Sequence, residues 1–292
     1  MSDKKSFLDN FILVEYNNLP YPDGYTAQIK EVAAHFDKDS IAPEGAYSLH
    51  TEYSYGKRSF DSSRIAKYPA LKEANKDGIP QLWKSIDWAN EFANFIIGLT
   101  EGFAPPSVIE IHPPFNDYCA LDEFAERFIV FEKKVHDCYP DTLIVIENRA
   151  GSVYHGGKFL VSKAKEIAAL CDLISKKHLM LGIVLDFPQL LTAENIDPHK
   201  FKAEKYQSAI ASILPYQNLI HGIHIWGKKK SATGRWVAHS GNFDTYFNNN
   251  TTKAIFLSGI HQICSDGAPR FLVPEVNSGS EDLASIIQAL NR

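Results

Sequence analysis

The sequence predicts an α/β fold built on a parallel sheet, and three observations carry that expectation. Short β-branched apolar runs alternate with longer stretches of helical periodicity along most of the 292 residues. The apolar runs are nearly continuous, as strands covered on both faces are. Most of them end on a polar residue of a type that carries chemistry. The first two observations leave an open doubly wound sheet and a closed barrel as alternatives. No GxGxxG follows the first strand, which lowers the open-sheet reading.

The strand candidates are 11–16 (FILVEY), 46–50 (AYSLH), 107–112 (SVIEIH), 142–147 (TLIVIE), 181–186 (LGIVLD), 219–226 (LIHGIHIW) and 270–276 (RFLVPEV). Helical periodicity spans roughly 25–37, 80–99, 121–138, 157–177, 200–213, 250–263 and 280–290. Pro80 stands near one helix start, and Ser280 with two acids after it marks another.

Composition sets bounds on class. With 45% hydrophobic residues the chain can bury a sizeable core, and its length suits one barrel domain over residues 1–292. A net charge of −5 argues against a basic nucleic-acid coat but leaves room for a local basic groove. Cys119, Cys138, Cys171 and Cys264 show no CxxC spacing and read as free buried thiols of a reducing compartment. The first ten residues hold no apolar stretch of a secretory signal, and no run reaches about 18 apolar residues. A cytoplasmic location with no membrane partner is expected.

The polar strand ends are His50, His112, Glu147, Asp186 and Glu275, with His224 near the end of its own strand. In a (β/α)8 barrel these ends converge on one mouth. Three carboxylates gathered there repel one another, and each buried alone costs several kcal/mol. A divalent cation resolves both problems. Carboxylate oxygens with imidazole suit Zn²⁺, Mn²⁺ or Fe²⁺. Singly, each residue has a plainer role: Asp186 as the N-cap of a following helix, His50 as a hydrogen-bonded side chain. Capping gives no reason for the pattern to recur on nearly every strand.

The remaining histidines divide by position. His35, His136, His178, His199 and His261 fall in helices or their flanks and read as surface residues. His155, in a Gly-flanked loop, and His221 receive no role. His221 and His224 are odd-spaced on one strand, so only one of them faces the mouth. WGKKK (226–230) reads as a solvated loop or, after a mouth strand, as a phosphate contact.

These residues make the chain resemble the xylose-isomerase-like barrels over roughly residues 11–290. VIEN with Glu147, IVLD with Asp186, GIHIW with His224 and VPEV with Glu275 match the superfamily's shared metal-ligand positions. SLHTEY (48–53), EIHPPF (110–115) and ENRAGSVYHGGKF (147–159) resemble elements of its endonuclease IV group. The resemblance implies that Glu147 bridges two metals, that His50 and His112 hold one, and that Asp186, His224 and Glu275 hold the other. Tyr53 would lie near DNA. Where that group places further ligands the chain has Gln189 and Val237, leaving only His239, so a third metal is not expected. FILVEY aligns with the group's second strand, which implies an incomplete barrel whose first β/α unit is missing or degenerate.

The expected activity is metal-dependent hydrolysis of a phosphoester, damaged DNA among the candidate substrates, with one or two Zn, Mn or Fe ions. Glu147, Glu275 and His239 would be catalytic. Tyr53, Arg149 and Gln189 would bind substrate. Two alternatives stand beside it: a sugar isomerase or epimerase with one metal on Glu147, Asp186, His224 and Glu275, and a non-catalytic barrel with a vestigial site.

Overall fold

A computed structural model describes residues 6–154 and 157–291. Eight strands form one closed parallel barrel: β1 Phe11–Glu15, β2 Ile29–Ala34, β3 Tyr47–Thr51, β4 Val108–Ile111, β5 Leu143–Glu147, β6 Leu181–Asp186, β7 Ile220–Ile225 and β8 Arg270–Pro274. Each strand pairs with its neighbours in sequence, and β8 closes on β1 through Phe11↔Arg270 and Leu13↔Leu272. The fold is therefore a TIM barrel, and the expectation of an incomplete one is corrected. FILVEY is the first strand. The strand thought missing is β2, which the sequence presents as a helix over 25–37. Ile29, Val32 and Phe36 follow a three–four spacing that imitates a helix face, yet the segment pairs with β1 at Val14↔Ile29 and with β3 at Val32↔Leu49.

What is reduced is the helical layer. No α-helix lies between β1 and β2 or between β2 and β3. Later connections carry α1 Ile86–Thr100, α2 Leu121–Cys138, α3 Ala164–Lys177, α4 Ala203–Ile213 and α5 Asn250–Ile263, and α6 Ser280–Leu290 follows β8. Helix α3 starts at Ala164 rather than near 157, because residues 157–158 pair with 153–154 as a short antiparallel ribbon. Helix α1 likewise starts after Ser85, whose side chain accepts from the Trp88 amide.

Apolar packing fills the space between strands and helices and the lower barrel. Trp83, Trp88, Phe92, Phe124, Phe128 and Phe131 are buried where α1 meets α2, with Phe92 and Phe131 stacked at 5.2 Å. Every residue of β6 is buried, which explains its unbroken apolar run. Inside the barrel, Val108, Val145 and Val184 form one cluster, and Val14, Ile29 and Val273 another. Two residues further along these strands, on the same inward face, stand Glu110, Glu147, Asp186 and Glu275. The change from apolar to ionisable within a single strand defines the mouth. Cys119, Cys171 and Cys264 are buried free thiols, whereas Cys138 is exposed, against the expectation for it. No helix among the described residues is long and apolar enough to cross a membrane.

Candidate metal centre

Strand register brings the ionisable residues together. Asp186 pairs with His224 across β6 and β7, and His50 pairs with Glu110 across β3 and β4. Two sets of possible ligands result: His50, Glu110, His112 and Glu147, and Glu147, Asp186, His224 and Glu275. Within each set one ligand atom per residue lies within 4.8 Å of the others. Glu147 belongs to both sets. Its Oε2 is 3.2 Å from His112 Nε2, and its Oε1 is 3.5 Å from His224 Nδ1. Glu275 Oε1 is also 3.5 Å from His224 Nδ1.

The donor atoms fit a divalent cation. His112 Nδ1 donates to the Glu52 carbonyl at 3.1 Å, which leaves its Nε2 as a lone-pair donor. That Nε2, His224 Nδ1, Glu110 Oε1 and Glu275 Oε2 are buried without a hydrogen-bond partner. Buried polar atoms are ordinarily satisfied, so their concentration at one point calls for a ligand.

Charge gives the same reading. Burial, then Glu147 and Glu275, push the Asp186 carboxyl well above the carboxylate range. Burial opposes ionisation of Glu147 too, but Arg149, His112 and His224 outweigh it and hold that carboxyl well below its ordinary value. Burial lowers His224, yet Glu110 and Glu275 overcome it and raise the imidazole well above its usual value. Burial and then His112 keep His50 well below its ordinary value, hence neutral and able to ligate. The cluster draws in positive charge, and without a cation protons supply it.

The remaining proposed residues surround this cluster. Arg149 Nη1 donates to Glu147 Oε2 at 2.6 Å, and its guanidinium lies 5.6 Å from the Tyr53 ring. Tyr53 packs edge-on against His50 and His112, both at 5.7 Å. Asp186 does cap the short helix Phe187–Ala193, since Oδ1 accepts from the Gln189 amide; its Oδ2 accepts from Trp226 Nε1 and Gln189 Nε2, each at 2.8 Å. His239 stacks on Trp226 at 4.6 Å with Nδ1 3.5 Å from Glu275 Oε2. A cavity of about 700 Å³ opens over the cluster, lined by His50, Tyr53, Glu147, Arg149, Gln189 and His239 among others.

Several residues at the mouth escaped the sequence reading. His35 is not a surface residue: it lines the cavity, with a buried Nε2 and its ring 5.8 Å from His50. Glu31 also lines the cavity and was hidden by the helical reading of β2. Glu110 and Trp226 each lie two residues from a recognised site histidine on the same strand face, a spacing that could have found them. Lys228 lines the cavity and sits over Trp226 at 5.1 Å, so the basic loop does reach the mouth. Elsewhere, His136 and His261 bond to backbone carbonyls, and His155 lies outside the described residues.

No family model matches the chain, and no curated protein matches it significantly. Among solved structures, the crystal structure of AsfvAP:AG is similar with a TM-score of 0.54 and 11% identity, over 96% of this chain and 95% of that one. The probable 3-DHS dehydratase AsbF, involved in petrobactin synthesis in Bacillus anthracis, matches with a TM-score of 0.45 and 10% identity, over 91% and 76%. The first of these likenesses is one of fold.

Proposed function

We propose that the barrel mouth is the active site of a divalent-metal-dependent phosphoester hydrolase. One observation carries the reading: two four-residue ligand sets share a single carboxylate, Glu147. A one-metal isomerase needs only the second set and gives no reason for His50 and His112 to meet there. Divalent cations held in these sets supply Lewis acidity toward a phosphoryl group and acidify water.

The chain's own residues then have distinct tasks. Arg149 and Lys228 bring positive charge to the cavity and hold the phosphoryl oxygens. Tyr53 closes the side next to His50 and His112, and limits water there. His239, fixed by Trp226 beneath it and Glu275 beside it, hands a proton to the departing oxygen. Gln189 holds the Glu147 and Asp186 carboxylates in place.

The test is metal content per chain together with hydrolysis of a phosphodiester, a phosphomonoester and abasic-site DNA. Two cations and turnover of one of these substrates support the proposal. A single cation with no turnover of any of them removes it. In that case deuterium exchange next to the carbonyl of a ketose would point to the isomerase alternative.

A further inference from the structure

We propose that Glu110 couples the two cation sites: Oε1 ligates the cation of His50 and His112, while Oε2 fixes His224 as a ligand of the other. This rests on the two-cation reading above.

Position comes first. Glu110 precedes His112 by two residues on β4, so both side chains enter the barrel, and its register partner on β3 is His50. Its Oε1 is 3.5 Å from His50 Nε2 and 3.9 Å from His112 Nε2, and it is buried with no hydrogen-bond partner. Two imidazole nitrogens and one unpaired carboxylate oxygen therefore face a common point, with Glu147 Oε2 on its other side.

The second oxygen addresses the other site. Glu110 Oε2 is 3.0 Å from His224 Nε2, while His224 Nδ1 faces Glu147 and Glu275. A ring nitrogen that ligates needs its lone pair, so the proton belongs on the other nitrogen, and a carboxylate there fixes both tautomer and ring orientation. Glu110 occupies that place.

The experiment is titration of the metal-stripped full chain with Zn²⁺ and Co²⁺, by calorimetry and elemental analysis. Wild type, Glu110→Gln and Glu110→Asp are compared. Wild type is expected to take two cations. Both variants are expected to take one over the same concentration range, the second weakened at least about 100-fold and the first about 10-fold. Metal-free Glu110→Gln loses the close contact with His224 but keeps the barrel, so it should still melt in one cooperative transition; a residue needed only for folding would abolish that transition. Glu110→Asp keeps the charge and shortens the reach, so the coupling stays testable if the amide variant does not fold. Two cations bound to both variants with unchanged affinity would overturn the role of Glu110 and leave the hydrolase reading intact. Fewer than two on wild type would overturn the coupling, and the hydrolase reading with it only if no phosphoester is turned over.

Discussion

The amide nitrogen of Gln189 lies 2.7 Å from Glu147 Oε1 and 2.8 Å from Asp186 Oδ2, joining two buried carboxylates through one neutral donor group. Removing it leaves both oxygens without that donor in a low-dielectric site. Gln189→Ala is expected to destabilise the metal-free protein by about 1–3 kcal/mol at neutral pH. Saturating divalent cation should recover part of that loss. Urea denaturation with chelator and with metal measures both.

Glu147 is the residue common to both ligand sets. Glu147→Gln is therefore expected to abolish both cations together and bring phosphoester hydrolysis to background, whereas Asp186→Asn should spare the His50 and His112 site. Elemental analysis of the two variants separates these outcomes. Equal residual metal in both would contradict the shared position.

Glu31 is held well above the carboxylate range by burial and then by Glu110. A carboxyl raised in the folded state contributes stability that is full below its unfolded value and is lost as pH rises through the folded value. Metal-free Glu31→Gln is thus expected to exceed wild type by about 1–2 kcal/mol near pH 8, since the side chain is only partly enclosed. The difference should shrink toward pH 4. Paired denaturation curves at several pH values follow it.

His35 shows the opposite dependence. Burial, then Arg58 and His112, lower its pKa to about 4. A histidine depressed in this way contributes stability that is present above about 6.5, the unfolded value, and is lost as pH falls toward about 4. The upper bound is about 3 kcal/mol. His35→Phe keeps a ring against His50 and Tyr53 and removes the titration. Its stability should fall less steeply than wild type between pH 6.5 and 4. Parallel slopes would exclude the effect.

Much of this architecture could be read from the chain, because burial on both faces leaves a plain mark. Strands such as LGIVLD have no solvent side and so no alternation to obscure them. Asp186, His224 and Glu275 stood out because each interrupts such a run. Glu31 did not, since β2 is half-exposed and mixes Lys30, Glu31 and small alanines among its apolar residues. The closeness of Glu110 to His224 was beyond reach of the sequence: β4 and β7 are not neighbours, and only closure of the barrel sets one across from the other. The second task of Asp186 was legible as a capping position, but its bond from Trp226 depends on the neighbouring strand.

The helix-free connections on either side of β2 bear on how the molecule breathes. On that flank the amides of Lys30 to Ala33 sit beneath partly open side chains, whereas those of β6 are sealed on both sides. Local openings that expose backbone hydrogens to deuterium should begin where least apolar cover must be lifted. Deuterium uptake is then expected to reach β2 well before β6, so that the wall bearing Glu31 is the first to part and the one bearing Asp186 the last.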